Sequence, residues 1–133
     1  MEIFTLTIRF PYDDSEEPWS RTIEVSENYT LQQLHTYIQK IIEFDDEHLY
    51  EFYAGRKPRN KKYSIPSTTK LNEVYPLNRL KLYYLFDFGD CWLFELKKSR
   101  KKKLASKTSV LPTVIEAVGE NPEQYPGWED EYR

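Results

Sequence analysis

The sequence predicts an α+β fold: a five- or six-stranded, mainly antiparallel sheet covered on one face by one main helix, with a β-grasp-like first half. Three observations predict it. Apolar residues alternate with period two in several separate runs, most densely over Leu80 to Leu96. A single stretch, behind a capping signature, instead repeats apolar residues at helical spacing. Tyr, Phe and Trp make up 16% of the chain, so much of the burial must come from rings on strands.

Met1 to Phe10 alternates, with Phe4, Leu6, Ile8 and Phe10 on one face, as a half-buried strand does. Pro11 to Pro18 is acidic and proline-bounded, which predicts an exposed connection. Trp19, Arg21, Ile23 and Val25 resume the alternation and give a second strand, antiparallel to the first.

Thr30-Leu31-Gln32-Gln33 has the form of a capping box, in which a hydroxyl and a Gln three residues on satisfy first-turn amides. Leu31, Leu34, Ile38, Ile41 and Ile42 then predict an amphipathic helix over Leu31 to Glu43, ended by Asp45 and Asp46. His48 to Ala54 reads as the third strand. The order strand, strand, helix, strand resembles the opening of a β-grasp fold in architecture alone.

Residues 55–66 are expected to be a basic loop. Thr68 to Val74 predicts a short helix whose Leu71 and Val74, followed by Leu77, pack inward. Leu80 to Leu96 predicts the central hairpin. Leu82, Tyr84 and Phe86 share one parity before the turn, and Trp92, Phe94 and Leu96 share one after it. Phe86 lies opposite Trp92 if the connection holds an odd number of residues, expected as the three residues Phe88-Gly89-Asp90.

A lysine-rich loop is expected over 97–109. Val110 to Val118 fits both helical and strand spacing, with a strand beside Trp92 preferred. From Glu120 an acidic, irregular tail is expected, anchored by Tyr125 and Trp128. The expected core is Phe4, Leu6, Ile8, Ile23, Val25, Leu31, Leu34, Ile38, Ile41, Leu82, Tyr84, Trp92 and Phe94.

At 133 residues the chain suits one domain, spanning 1–133. No apolar run approaches the roughly 20 residues that a spanning helix needs. The N-terminus does not read as a secretory leader, so a soluble, cytoplasmic protein is expected. The lone Cys91 excludes an internal disulfide framework. Cysteine or serine nucleophilic chemistry has no signature here.

Charge is strongly segregated. Arg56, Lys57, Arg59, Lys61 and Lys62 form one basic cluster; Lys97, Lys98, Arg100, Lys101, Lys102, Lys103 and Lys107 form another. Together they hold twelve of the nineteen Lys and Arg, which leaves an acidic body in a chain of net charge -3. Such runs neutralise phosphates, and Tyr53 and Tyr63 nearby offer rings for stacking. The competing role is to solvate an aromatic sheet and blunt an edge strand.

Leu31-x-x-Leu34-His35-x-x-Ile38-Gln39, His48-Leu49-Tyr50-x-Phe52 and Phe86-Asp87-Phe88-Gly89-Asp90-x-Trp92, followed by a late proline-rich segment, resemble the pRi-plasmid ORF-three-like family over most of the chain. Its members are described as plasmid-encoded or transposon-passenger, TnpR-like proteins. The resemblance implies a compact α+β domain in a mobile-element setting, with no assigned activity. Two departures stand out: Phe94 replaces a common family His, and Asn121 to Pro126 replaces an acidic segment followed by paired glycines.

Asp87 and Asp90 form a carboxylate pair at the hairpin tip, suited to a hard cation such as magnesium, with His35 or Glu116 as further candidates; separately, the two histidines, His35 and His48, could each join an Asp or Glu in a mixed His-carboxylate site. Turn chemistry accounts for the same residue types without a metal. The expected function is therefore a non-enzymatic binding module whose basic loops contact nucleic acid or an acidic partner, without a cofactor. The alternatives are a metal-dependent hydrolase at the hairpin tip and an oligomerising scaffold domain.

Overall fold

The computed structural model describes residues 1–45 and 47–125. Its elements in chain order are β1 (Glu2–Arg9), β2 (Ser20–Ser26), α1 (Leu31–Ile42), β3 (Tyr50–Lys57), β4 (Asn60–Ile65), α2 (Leu71–Val74), β5 (Lys81–Phe86), β6 (Trp92–Lys98), β7 (Lys103–Leu104) and β8 (Thr113–Val118). The described strands form an eight-stranded antiparallel sheet ordered β4-β3-β5-β6-β1-β2-β8, with β7 added to β1. This is larger than the five or six strands expected, because both supposed basic loops contribute strands.

Residues 55–66 are mostly the β3–β4 hairpin rather than a loop, and 97–109 contain the end of β6 and all of β7. Alternation is masked in both by consecutive cations on exposed backbone. The 110–118 strand exists as β8, but it pairs with β2 and not beside Trp92. Arg21 fastens it: the guanidinium donates to the Val118 and Gly119 carbonyls at 2.8 and 2.7 Å and lies over the Trp19 ring.

Leu6, Ile8, Ile23, Val25, Leu82, Tyr84, Phe94 and Leu96 form the core face of the sheet, and Leu31, Leu34, Ile38 and Ile42 of α1 cover it. Burying a side chain of that size contributes about 1.5–3 kcal/mol. The Thr30–Gln33 capping box starts α1, and Glu43 in the left-handed region ends it. Of the expected core, Ile41 and Trp92 are half-buried and pack against its border. Leu71, Val74 and Leu77 are buried as expected.

Phe86 pairs with Trp92, so the predicted register holds. The connection is five residues, 87–91, rather than three. Asp87 and Cys91 both take positive φ, and the Cys91 amide closes the loop onto the Asp87 carbonyl at 2.6 Å. The parity that fixes the register does not fix where the ladder stops.

Candidate basic groove and hairpin tip

Lys81, Tyr83, Leu85, Leu93, Glu95 and Lys97 occupy the parity of β5 and β6 that points away from the helix. Gly55 pairs with Lys61 on one side and Lys81 on the other, while Leu82 opposite Leu96 sets Lys97 next to Lys81. Lys61, Gly55, Lys81 and Lys97 therefore lie in one row across the four strands β4, β3, β5 and β6. A Cβ at Gly55 would stand 2.4 Å from the Asn60 carbonyl oxygen, so only glycine fits this row.

A groove of about 700 Å³ opens where β5 begins and β6 ends. Lys97, Lys98, Arg100 and Lys102 line it from the second basic cluster, and Arg9, Arg79 and Lys81 line it from elsewhere in the chain. Seven cations and two carboxylates, Glu2 and Glu95, thus border the groove. Glu95 is buried and already engaged by Arg9 and, at 3.5 Å, by Lys81. Lys98 sits over the Phe4 ring at 4.5 Å, and Lys97, Arg100 and Lys102 are exposed. The groove floor includes Tyr75, whose phenol burial holds well above its ordinary pKa.

The sequence reading found four of these seven cations. Arg9, Arg79 and Lys81 were missed because each is isolated in the sequence. Lys81 was recoverable, since the predicted hairpin register already sets it beside Lys97.

The first basic cluster is placed differently. Arg56, Lys57, Arg59, Lys61 and Lys62 are exposed on the β3–β4 hairpin, and Lys61 pairs with Glu51 at 2.9 Å. Of the remaining second-cluster cations, Lys101 is exposed and Lys103 pairs with Glu24 at 2.7 Å.

At the hairpin tip, Asp87 is buried and its Oδ1 accepts the Gly89 and Asp90 amides at 3.1 and 3.3 Å. This is the turn role, in which a carboxylate replaces missing backbone partners. Phe88 and Asp90 are exposed, and Trp92 packs edge-on against Phe44 at 4.9 Å. The family-like Asp87-Phe88-Gly89-Asp90-x-Trp92 stretch therefore builds the turn and its support.

Among the described residues no three His, Cys, Asp or Glu side chains are grouped to hold a metal ion, so Asp87, Asp90 and His35 do not form such a site. His35 is buried beneath the sheet, with Nδ1 hydrogen-bonded to the Tyr84 hydroxyl and its ring stacked on Tyr50 at 3.6 Å. Glu116 is on β8, which β1 and β2 separate from β6.

His48, not His35, faces the tip carboxylate. Its Nε2 lies 3.6 Å from Asp87 Oδ2, 3.8 Å from Asp45 Oδ1 and 2.6 Å from the Tyr125 hydroxyl. Tyr125 donates in turn to Asp45 at 3.1 Å, and Gln124 brackets the Asp45 backbone. Desolvation and the Asp45 contact push the Tyr125 phenol up to about 12. This knot ties the start of the tail to the hairpin tip, as expected for Tyr125; the expectations for Asp46 and Trp128 fall outside the described residues. No helix among the described residues is long and apolar enough to cross a membrane.

Comparison with known proteins adds a family and a fold. The family model described as plasmid pRiA4b ORF-3-like protein matches residues 2–133. A crystal structure of a protein of unknown function from Methanosarcina mazei Go1 is similar at a TM-score of 0.72 and 23% identity, covering 87% of this chain and 69% of that one. At that identity the likeness is one of fold. No curated protein matches the chain.

Proposed function

The chain belongs to the plasmid pRiA4b ORF-3-like family, and we propose that it is a non-enzymatic module that binds the phosphate backbone of nucleic acid in the groove at the end of β5 and β6. One observation carries this: seven cations from separate segments line one groove in which the buried carboxylate is already neutralised. A solvated lysine run would leave its charges dispersed over the loop. Here Arg9, Arg79 and Lys81 border the same groove as four cations of the second cluster.

Phosphates are attracted to such a surface and release counterions on binding, which makes affinity fall with salt. Away from the two basic clusters the rest of the molecule is acidic and repels a polyanion. Fluorescence anisotropy with a labelled oligonucleotide tests the proposal. Saturable binding that weakens linearly in log-log form with added salt supports it. A folded protein that binds neither single-stranded nor duplex DNA or RNA at low salt refutes it.

A further inference from the structure

The tip of the β3–β4 hairpin folds over the outer face of the sheet, the face turned away from α1. Tyr53 belongs to that face, opposite Tyr83 in the ladder and stacked on its ring at 5.3 Å. The Tyr53 hydroxyl accepts the Arg59 amide at 3.2 Å. Gly55, two residues on, has the same parity. A Cβ there would run into the Asn60 carbonyl, so the backbone of the hairpin itself lies on the outer side of Gly55. Lys61 leans the same way and pairs with Glu51, which shares the parity of Tyr53. Together these contacts hold the turn, with Lys57 and Arg59, over the face that carries Lys81 and Lys97.

What is open on this face is a band that runs across the strands, not along them. Tyr53, Tyr83 and Glu95 follow one another across β3, β5 and β6, and all three are buried. The next row, Lys61, Gly55, Lys81 and Lys97, carries three exposed lysines. Strands lie about 4.8 Å apart, so this row is about 14 Å long. A nucleic-acid strand carries a phosphate about every 3.4 Å, which sets about four phosphates along it. The groove takes one end, with Lys81 and Lys97 in its lining, and the hairpin cations stand at the other. Glu51 offsets Lys61 there, whereas Lys57 and Arg59 are exposed.

We infer that the two basic clusters form one interface, on which a nucleic-acid strand lies across β6, β5, β3 and β4 from the groove to the curled hairpin. The inference rests on the polyanion reading of the groove and adds the direction and the length of the bound strand. Cations that only blunt the edge strand β4 need not be turned towards the groove. Here the Tyr53–Arg59 bond and the close approach at Gly55 turn them that way.

The test measures the salt dependence of binding for single-stranded oligothymidines of four and twelve nucleotides. It compares the wild type with a hairpin variant, Lys57→Gln and Arg59→Gln, and a groove variant, Lys97→Gln and Arg100→Gln, all at exposed positions. The wild-type slope of log K against log salt is expected to be steeper for the longer probe, which alone is long enough to reach the hairpin from the groove. If each hairpin cation neutralises one phosphate, the hairpin variant's slope on the longer probe becomes shallower by about 1.4, and most of the difference between the probes is lost. A hairpin variant that keeps the wild-type slope on the longer probe, while the groove variant's slope is shallower, would overturn the inference and leave the groove reading intact. A groove variant that keeps the wild-type slope on both probes would overturn both.

Discussion

Arg9 and Glu95 stand opposite each other on β1 and β6 and are joined by an ion pair in which the carboxylate is buried and the guanidinium is half exposed. Lys81 approaches the other carboxylate oxygen. Glu95 therefore sets the net charge of the groove as well as bracing two strands. A buried carboxylate deprived of partners is costly, which is why two cations are held here.

Replacing Glu95 with Gln separates those two roles. The side chain keeps its shape and part of its hydrogen bonding, while Arg9 and Lys81 become free to meet a phosphate. Oligonucleotide affinity at low salt should rise severalfold with a steeper salt dependence, and chemical denaturation should show a stability loss of about 1 kcal/mol. Weaker binding by a folded Glu95→Gln protein would argue against the groove as the contact surface.

One sheet hydroxyl, that of Tyr84, hydrogen-bonds two side chains of the helix. Tyr84 accepts from Gln39 Nε2 at 2.8 Å and bonds to His35 Nδ1, all within the core. Tyr84→Phe keeps the ring contacts with Phe52 and Phe94 but removes one hydrogen bond from each of two buried polar side chains, His35 and Gln39. A loss of about 1–3 kcal/mol is expected in urea unfolding. A neutral result would show that His35 and Gln39 find replacements.

Tyr83 makes stability fall in alkali. Burial, then the proximity of Glu95, pushes its phenol up to about 12, against about 10 in an unfolded chain. Between those values the unfolded state has lost the proton and the folded state retains it, so stability is full below pH 10 and declines as pH rises towards 12. Because the Tyr83 hydroxyl is buried with no partner among the described residues, Tyr83→Phe should be neutral or stabilising at pH 7. It should also flatten the decline above pH 10, measured by thermal melts across pH. An unchanged alkaline slope would assign the effect to other tyrosines, such as Tyr75 or Tyr53, which burial also raises.

Much of the fold was legible because parity is a geometric constraint. The Phe86–Trp92 register, the Thr30 cap and the core of β1, β2 and α1 all follow from spacing. Strands made of consecutive cations, such as Lys61-Lys62 in β4, offer no alternation to read. The position of β8 beside β2 depends on Arg21, whose clamp joins residues about a hundred positions apart. The groove was half legible for the same reason: a run of lysines is visible in one dimension, whereas Arg9, Arg79 and Lys81 join it only once the strands are paired. At the hairpin tip, residue types pointed to Asp87 and Asp90, but the sequence could not show that His48 rather than His35 would face Asp87.

The central claim is tested most directly by the salt dependence of oligonucleotide binding for the wild type and for a variant carrying Lys97→Gln, Arg100→Gln and Lys102→Gln. All three positions are exposed, so the variant should fold. If each cation neutralises one phosphate, the slope of log K against log salt for a single strand should become shallower by about 2, with affinity lost chiefly at low salt. The same slope and affinity in the two proteins would contradict the assignment of the groove.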